Sequence, residues 1–463
     1  MGNGTTMGRI RAYWLGSVVC MGGFLFGYDS GIVGGVLTMA SFERDYGYSK
    51  ANGTRTNALS VGLQQLGAFV GCFLAWPITA KLGRKKPLMI FSFVFCIGAA
   101  IQTINTGSLP AFYVARVIAG LGLGSSTVVT PMFNSEMTPK ELRGQIGSFF
   151  QLFFTIGIFT SYWVDYGVVH IPNEPTMQWQ IPIGLQMAPA AMLFLGTLTL
   201  KESTRWLTKQ GRHEEAWESL KWIRADDSQA VADEMEEIRL GVEAEVQETE
   251  GFRLKELLEK DNFKRVFAAF SMMMAQQATG ATAFAYFGPQ YFSLLVGPGD
   301  QNLLLTAIFG AVKVAACGTF VVFLADRLPR RQVMIGGAAC MAVCQITTAA
   351  VVKHNPPPTE PDSGVTSSAR IREPGIATGV ASQWLFNFIF SLTTPYMMES
   401  MGWGTFLLWG IFDAVISIVT FFFLKETKGM SLEAIAHQRF KKGGSSDLPL
   451  NANKTNQEET GLR

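Results

Sequence analysis

Charge is what this chain has least of. Of its 463 residues only 16% are Asp, Glu, Lys or Arg, against about 25% in an ordinary soluble domain. The 38 basic and 36 acidic residues leave a net charge of +2, and no basic cluster offers a nucleic-acid surface. Histidine is down to four residues, His170, His213, His354 and His437, scattered outside the apolar runs, so no zinc site is argued. The six cysteines (Cys20, Cys72, Cys96, Cys317, Cys340, Cys344) lie in or at the ends of apolar runs. Without metal-ligand or disulfide spacing they read as small buried hydrophobes. No nucleophile–base pair, phosphate loop or metal cluster stands out, which leaves conventional enzyme chemistry without support.

What is abundant is apolar. Hydrophobic residues make up 48% of the chain, with 35 Phe, 48 Gly and 20 Met. They fall into runs of roughly 20 residues, the length that crosses a bilayer. The first run does not end in a small-residue cleavage site and reads as a retained span. The fold class is therefore an all-α, polytopic membrane protein.

One polar stretch, residues 201–262, interrupts these runs. It opens with Lys201-Glu202-Ser203-Thr204, and the last apolar run ends into Lys425-Glu426-Thr427-Lys428. That near-repeat divides the chain into two related halves. An N-terminal transmembrane bundle is expected in 1–200, a cytoplasmic helical linker in 201–262, a C-terminal bundle in 263–424, and a polar tail of disordered composition in 425–463. Within the linker Trp217, Leu220 and Ile223, then Val231, Met235 and Ile238, recur every three or four residues. That spacing predicts amphipathic helices lying against the membrane domain.

Spans are expected near 12–37, 57–80, 87–104, 109–129, 145–168 and 181–200, then near 265–296, 303–325, 332–352, 376–398 and 403–424. The loop Lys81-Leu82-Gly83-Arg84-Lys85-Lys86 carries four cations and no acid, so it is cytoplasmic, and the N-terminus with Arg9 and Arg11 is inside too. The loop Asp326-Arg327-Leu328-Pro329-Arg330-Arg331 repeats the signal. Eleven spans result where the repeat wants twelve. From Gly83 to Arg143 lie about 60 residues, enough for two crossings. From Pro329 to Arg372 lie about 43, with one apolar run and then a Pro/Ser/Thr-rich loop. Cytoplasm-type cations stand at both ends (Arg330 and Arg331; Arg370 and Arg372), yet one crossing cannot return the chain to its starting side. One span is missing from the second half.

Charge inside a span is costly and needs a partner. Asp29 in the first span and Arg116 in the fourth are each other's obvious mates. Amides recur at Gln151, at Gln276-Gln277, and at Gln383 and Asn387 with Trp384 between them.

In this order and spacing the residues resemble one family, the sugar porters of the major facilitator superfamily in their fungal, sugar/quinate form. The resemblance rests on Gly27-Tyr28-Asp29, Gly83-Arg84-Lys85, Arg116 with Gly120, and Glu136, Pro139 and Arg143-Gly144. It continues through Glu202-Ser203 with Arg205-Trp206-Leu207, Gln276-Gln277 with Gly280, Asp326-Arg327 with Arg330-Arg331, and Glu426-Thr427-Lys428-Gly429, nearly the whole chain. It implies the major facilitator fold, two pseudo-symmetric helix bundles (6 + 5 spans here, 6 + 6 expected) with a substrate site between them and alternating access. It further implies secondary active transport of a monosaccharide or related polyol or quinate, with proton symport. The expected setting is a monomer in the plasma-membrane bilayer, with no cofactor beyond the proton gradient.

Carried over residue by residue, the substrate positions are Gln151, Gln276, Gln277, Thr282, Tyr286, Gln383, Trp384 and Asn387. Amides donate to and accept from hydroxyls, and an indole suits a flat sugar face; each amide alone also fits interhelical glue. Asp29 with Arg116 would couple protons, or form a permanent structural pair. Arg84, Glu136, Arg143, Glu202, Arg205, Asp326 and Arg330 would latch the cytoplasmic gate and hold the outward-open state. The chain departs from the family pattern at Ala80, Lys201, Thr204, Thr282 (usually Asn) and Pro329. The largest departure is the tenth span. Ser367-Ser368-Ala369, which reads as the loop before it, runs straight into Arg370-Ile371-Arg372, which reads as the loop after it. The expectation is that the chain as written transports poorly or not at all. The alternative reading is therefore a non-transporting truncated product or a sugar-sensing receptor, and the short tail argues against the receptor.

Overall fold

The computed structural model describes residues 6–48, 50–139, 142–173, 175–249, 270–271, 273–296, 300–324, 330–354, 386–390, 393–397 and 403–423. Among them the chain is helical, without strands. The first half holds α1 (Thr6–Val36), α2 (Ala40–Tyr46), α3 (Lys50–Leu82), α4 (Lys85–Thr103), α5 (Leu109–Met137), α6 (Arg143–Val169), α7 (Met177–Leu185) and α8 (Met187–Leu198). The linker forms α9 (Thr204–Lys209), α10 (His213–Arg224) and α11 (Gln229–Thr249). The second half holds α12 (Ala281–Tyr286), α13 (Gly288–Val296), α14 (Asp300–Thr319) with a π-turn at Phe320–Leu324, α15 (Arg330–His354) and α16 (Trp403–Phe423).

Nine helical stretches among the described residues are long and apolar enough to cross a membrane. Six fall on the spans expected in the first half, and three on the eighth, ninth and last. The expected span 265–296 is not one continuous helix. It breaks at Gly280, whose φ of +71° suits only glycine, and a Cβ there would meet the Trp409 indole at 2.7 Å. The expected span 181–200 is two helices, α7 and α8, meeting at Gln186. Pro189 has no N–H to return to the carbonyl of Leu185, which is where such a helix parts. Of the run at 376–398 only 386–390 and 393–397 are described. The loop where the missing span was placed, the end of the linker and the tail lie outside the described residues.

The first half is one packed bundle. α1 lies close against α6, and at Gly27 a Cβ would fall on the backbone of Phe154. α5 runs between α3 and α4, burying Leu123, Val129 and Phe133. At the end that carries the Lys81–Lys86 loop, the linker helices close this bundle, their apolar stripes packed on it as their spacing predicted. Leu220, Ile223 and Val231 share a core with Met137 and Leu200, with Trp217, Met235 and Ile238 packed against it. At the outer end α2 sits as a cap, Phe42 meeting Trp179 edge-on at 5.5 Å and Phe112 at 5.4 Å. The halves meet where α1 touches α12 and α13, and where α6 packs along α14.

Candidate functional site

Asp29 and Arg116 are fully buried and paired, Nη1 to Oδ1 at 3.1 Å. The helices around them complete the site. Gln64 of α3 donates its amide to the other carboxylate oxygen. Arg116 donates Nε to the carbonyl of Ser60 at 2.8 Å and Nη1 to Gln102 at 3.4 Å. Its second terminal nitrogen, Nη2, is buried without an acceptor. The two charges thus offset each other inside the bundle, which lowers the cost of holding them there.

The next residue on each of two helices does something else. Ser30, beside Asp29, donates to the Tyr286 hydroxyl of α12 at 3.1 Å. Gln65, beside Gln64, accepts from Asn387 at 3.1 Å, and Asn387 also donates to the Tyr286 hydroxyl at 3.2 Å. Gln290 donates to the carbonyl of Gly34 at 3.2 Å, and Tyr162 of α6 donates to the carbonyl of Ala285 at 2.8 Å. These bonds join the bundles on the outer part of α1. Tyr286 and Asn387 are accordingly buried. Consecutive residues, Asp29–Ser30 and Gln64–Gln65, therefore serve the ion pair and the contact between bundles at once.

The remaining substrate candidates lie on α6 and at the break in the seventh expected span. Gln151 and Gln276 are exposed, whereas Gln277 is buried and accepts from Thr282 at 2.6 Å. Thr282, the departure from the expected Asn, orients Gln277. Gln383 and Trp384 lie outside the described residues.

The residues expected to latch the gate divide. Arg84 grips Glu136 through two nitrogens, Nη2 at 2.8 Å and Nε at 3.0 Å, and Ser203 donates to the same carboxylate. Glu202 accepts the backbone N–H groups of Arg84 at 2.8 Å and Lys85 at 3.2 Å. Together they lock the α3–α4 loop to the inner end of α5 and the start of α9, all within the first half and linker. Arg205 is not part of this knot and pairs with Glu245 of α11 at 3.1 Å. Arg143 opens α6. Asp326 lies outside the described residues; Arg330 opens α15, its side chain undescribed.

Sequence reasoning missed Gln64 and Gln65, and it missed three charges in spans: Asp165 in α6, Lys313 in α14 and Asp413 in α16. The rule that found Asp29 finds them as well, since each lies inside an apolar run. Both carboxylate oxygens of Asp165 and of Asp413 are buried without a hydrogen-bond partner.

Two helical halves meeting across a buried polar seam, with an ion pair at depth, define the class: a major facilitator carrier. The proton:xylose symporter XylE bound to 6-bromo-6-deoxy-D-glucose shares this fold at a TM-score of 0.77 and 22% identity, over 93% of this chain and 99% of that one. The inward-open xylose transporter XylE from E. coli shares it at 0.71 and 21%, over 92% and 99%. The profile of the "Sugar (and other) transporter" family matches residues 15–359 and 365–438, and the chain belongs to that family. It is similar to the quinate permease of Emericella nidulans, 30% identical over 92% of this chain and 88% of that protein, and to a probable quinate permease of Aspergillus fumigatus, 32% identical over 92% and 86%. It is thus a multi-pass membrane transporter for small, sugar-type solutes, and not an enzyme.

Proposed function

We propose that the chain carries a monosaccharide or a quinate-like polyol across the plasma membrane by alternating access, as a monomer, in symport with protons. The observation that supports it is the adjacency of the buried pair to the seam between the bundles. Protonating Asp29 removes the charge that holds Arg116 and Gln64. α1 and α3 then relax, and they carry Ser30 and Gln65, which bond Tyr286 and Asn387 of the other bundle. Occupation of the acid is thereby linked to opening of the outer contact, the two-state coupling that symport needs. Gln151, Gln276, Gln277, Thr282, Gln383 and Trp384, with Tyr286 and Asn387 once freed, take the solute's hydroxyls. The Arg84–Glu136–Ser203 knot, with Glu202, Arg143, Arg205, Asp326 and Arg330, serves the cytoplasmic gate. Uptake of labelled hexoses and quinate in cells without their own carriers tests this. The expected result is accumulation that a protonophore and Asp29→Asn both abolish. Uptake that ignores both overturns symport; no uptake of any polyol overturns carriage.

A second reading, a product that does not transport, is favoured by a specific observation. The match to the Emericella protein runs over 472 positions, more than this chain's 463 residues, so that relative holds residues without a counterpart here. The family match is itself interrupted at 360–364, in the loop where the tenth span was missed. A C-terminal tag labelled from outside intact cells supports this reading. Robust uptake by the chain as written overturns it.

A further inference from the structure

Lys313 is the cation among the three in-span charges that sequence reasoning passed over, and it meets the other bundle. It lies eleven residues from Leu324, where the π-turn closing α14 ends, or about 16 Å along the axis. That is about half of the roughly 30 Å hydrocarbon depth, too deep for a lysine stem to reach headgroups. Its ammonium stands over the ring of Phe154 on α6, 5.8 Å from the centroid. Phe154 is itself eleven residues from the inner end of α6, at the same mid-depth. Gln151 lies one turn before it, on the same face.

Among the described residues no carboxylate pairs with Lys313. Asp165, the one carboxylate of α6, lies eleven residues beyond Phe154, about 16 Å away along the helix. The near neighbour with an ionisable group on its own helix is Cys317, one turn on. A cation–π contact with Phe offsets only part of what taking water from an ammonium costs. A cation kept at mid-membrane, between the two bundles and beside a substrate amide, is built for an anion that comes and goes.

We infer that Lys313 is the counter-ion for a carboxylate on the carried solute, and that the solute class is a polyhydroxylated carboxylic acid rather than a neutral hexose. The inference rests on the reading that the chain binds a polyol between its bundles. It does not need the chain to complete a transport cycle.

The test is equilibrium binding to the purified full chain in nanodiscs, with three probes: quinate, its methyl ester and glucose. Wild type binds quinate roughly tenfold to a hundredfold more tightly than the ester, the worth of a charge-assisted hydrogen bond. Lys313→Gln loses that preference while its affinity for the ester and glucose is unchanged, and Lys313→Arg keeps most of it. Equal binding of quinate and ester by wild type overturns the inference even if the variants do not fold. So does wild-type quinate affinity in Lys313→Gln, or binding of glucose without quinate; both leave the polyol reading standing. Failure of all three probes to bind sinks that reading, and this one with it.

Discussion

α5 and α15 read alike as sequence, two apolar runs with small residues and a few hydroxyls, yet they live differently. Over its most apolar 18 residues α5 is 72% buried, and α15 only 17%. α5 lies between α3 and α4 and touches both along their length. α15 packs chiefly on α16, where Ser417 donates to the carbonyl of Ile335 at 3.1 Å and Gly410 meets Ile346. It leaves Met334, Met341, Val343 and Ile346 exposed. Burial of a span is conferred by its neighbours. Where two others share a helix, as α3 and α4 share α5, the bundle closes around it; α15, with one main neighbour among the described helices, keeps an open face. The N-terminal half is therefore expected to hold the chain's stability, and the C-terminal half to tolerate change.

The strongest way to break that contrast is to open the ion pair. Arg116→Ala leaves the carboxylate of Asp29 buried without its cation, a cost of about 3–5 kcal/mol. Thermal unfolding in detergent is expected to drop accordingly, and the double variant Asp29→Asn/Arg116→Ala to recover a large part. Full stability in the single variant would mean that the pair does not hold the bundle. Matched truncations come next. Leu123→Ala in α5 removes a fully buried side chain and costs about 2–5 kcal/mol. Val343→Ala in α15, 66% exposed, stays within about 0.5 kcal/mol. Equal losses would show that α15 is covered after all.

The seam between the halves gives a smaller effect. Tyr286→Phe removes the hydroxyl that accepts from Ser30 and Asn387, and each such bond is worth about 1 kcal/mol net. Ser30→Ala adds little once Tyr286 has lost its oxygen, because the two share one bond. Strict additivity in the double variant would place Ser30's contribution elsewhere.

Much of this was open to the sequence, and the reasons are physical. Six spans of the first half announce themselves because a bilayer demands length and apolarity together. Asp29 and Arg116 announce each other because neither is tolerable alone in a span. Gln64 and Gln65 stayed hidden because an amide is tolerated anywhere between helices, so nothing in a sequence says which of two neighbours faces a carboxylate and which faces another bundle. The partner of Arg205 was hidden for a different reason: Glu245 lies 40 residues on, in a linker rich in acids, and only the packing of α9 on α11 selects it. The break at Gly280 was written in the sequence as a glycine, but the indole of Trp409, which leaves no room for a Cβ there, sits 129 residues away. Lys313 was legible by the same rule as Asp29, since it too is a charge inside an apolar run.

The smallest expected effect lies at the outer cap of the N-terminal half. Asp45 follows α2's Phe42 by three residues and accepts from the Trp179 indole at 3.0 Å, while Arg44 pairs with it at 3.0 Å. Burial works against the ionised form, but hydrogen bonds from Trp179 and Thr176 and the charge of Arg44 outweigh it and hold the carboxyl below its ordinary value of 3.8. A carboxyl depressed by folding adds stability that is complete above its unfolded value and is lost as pH falls through the folded one. Asp45→Asn is therefore expected to unfold slightly earlier than wild type at neutral pH, with the difference closing as the solution is acidified below the carboxylate range. Trp179 fluorescence, read alongside the unfolding curve, should report the same loosening in wild type. A difference that persists unchanged into acid would mean that the aromatic contacts of Phe42 and Tyr46 hold the cap, and that the charge contributes nothing to it.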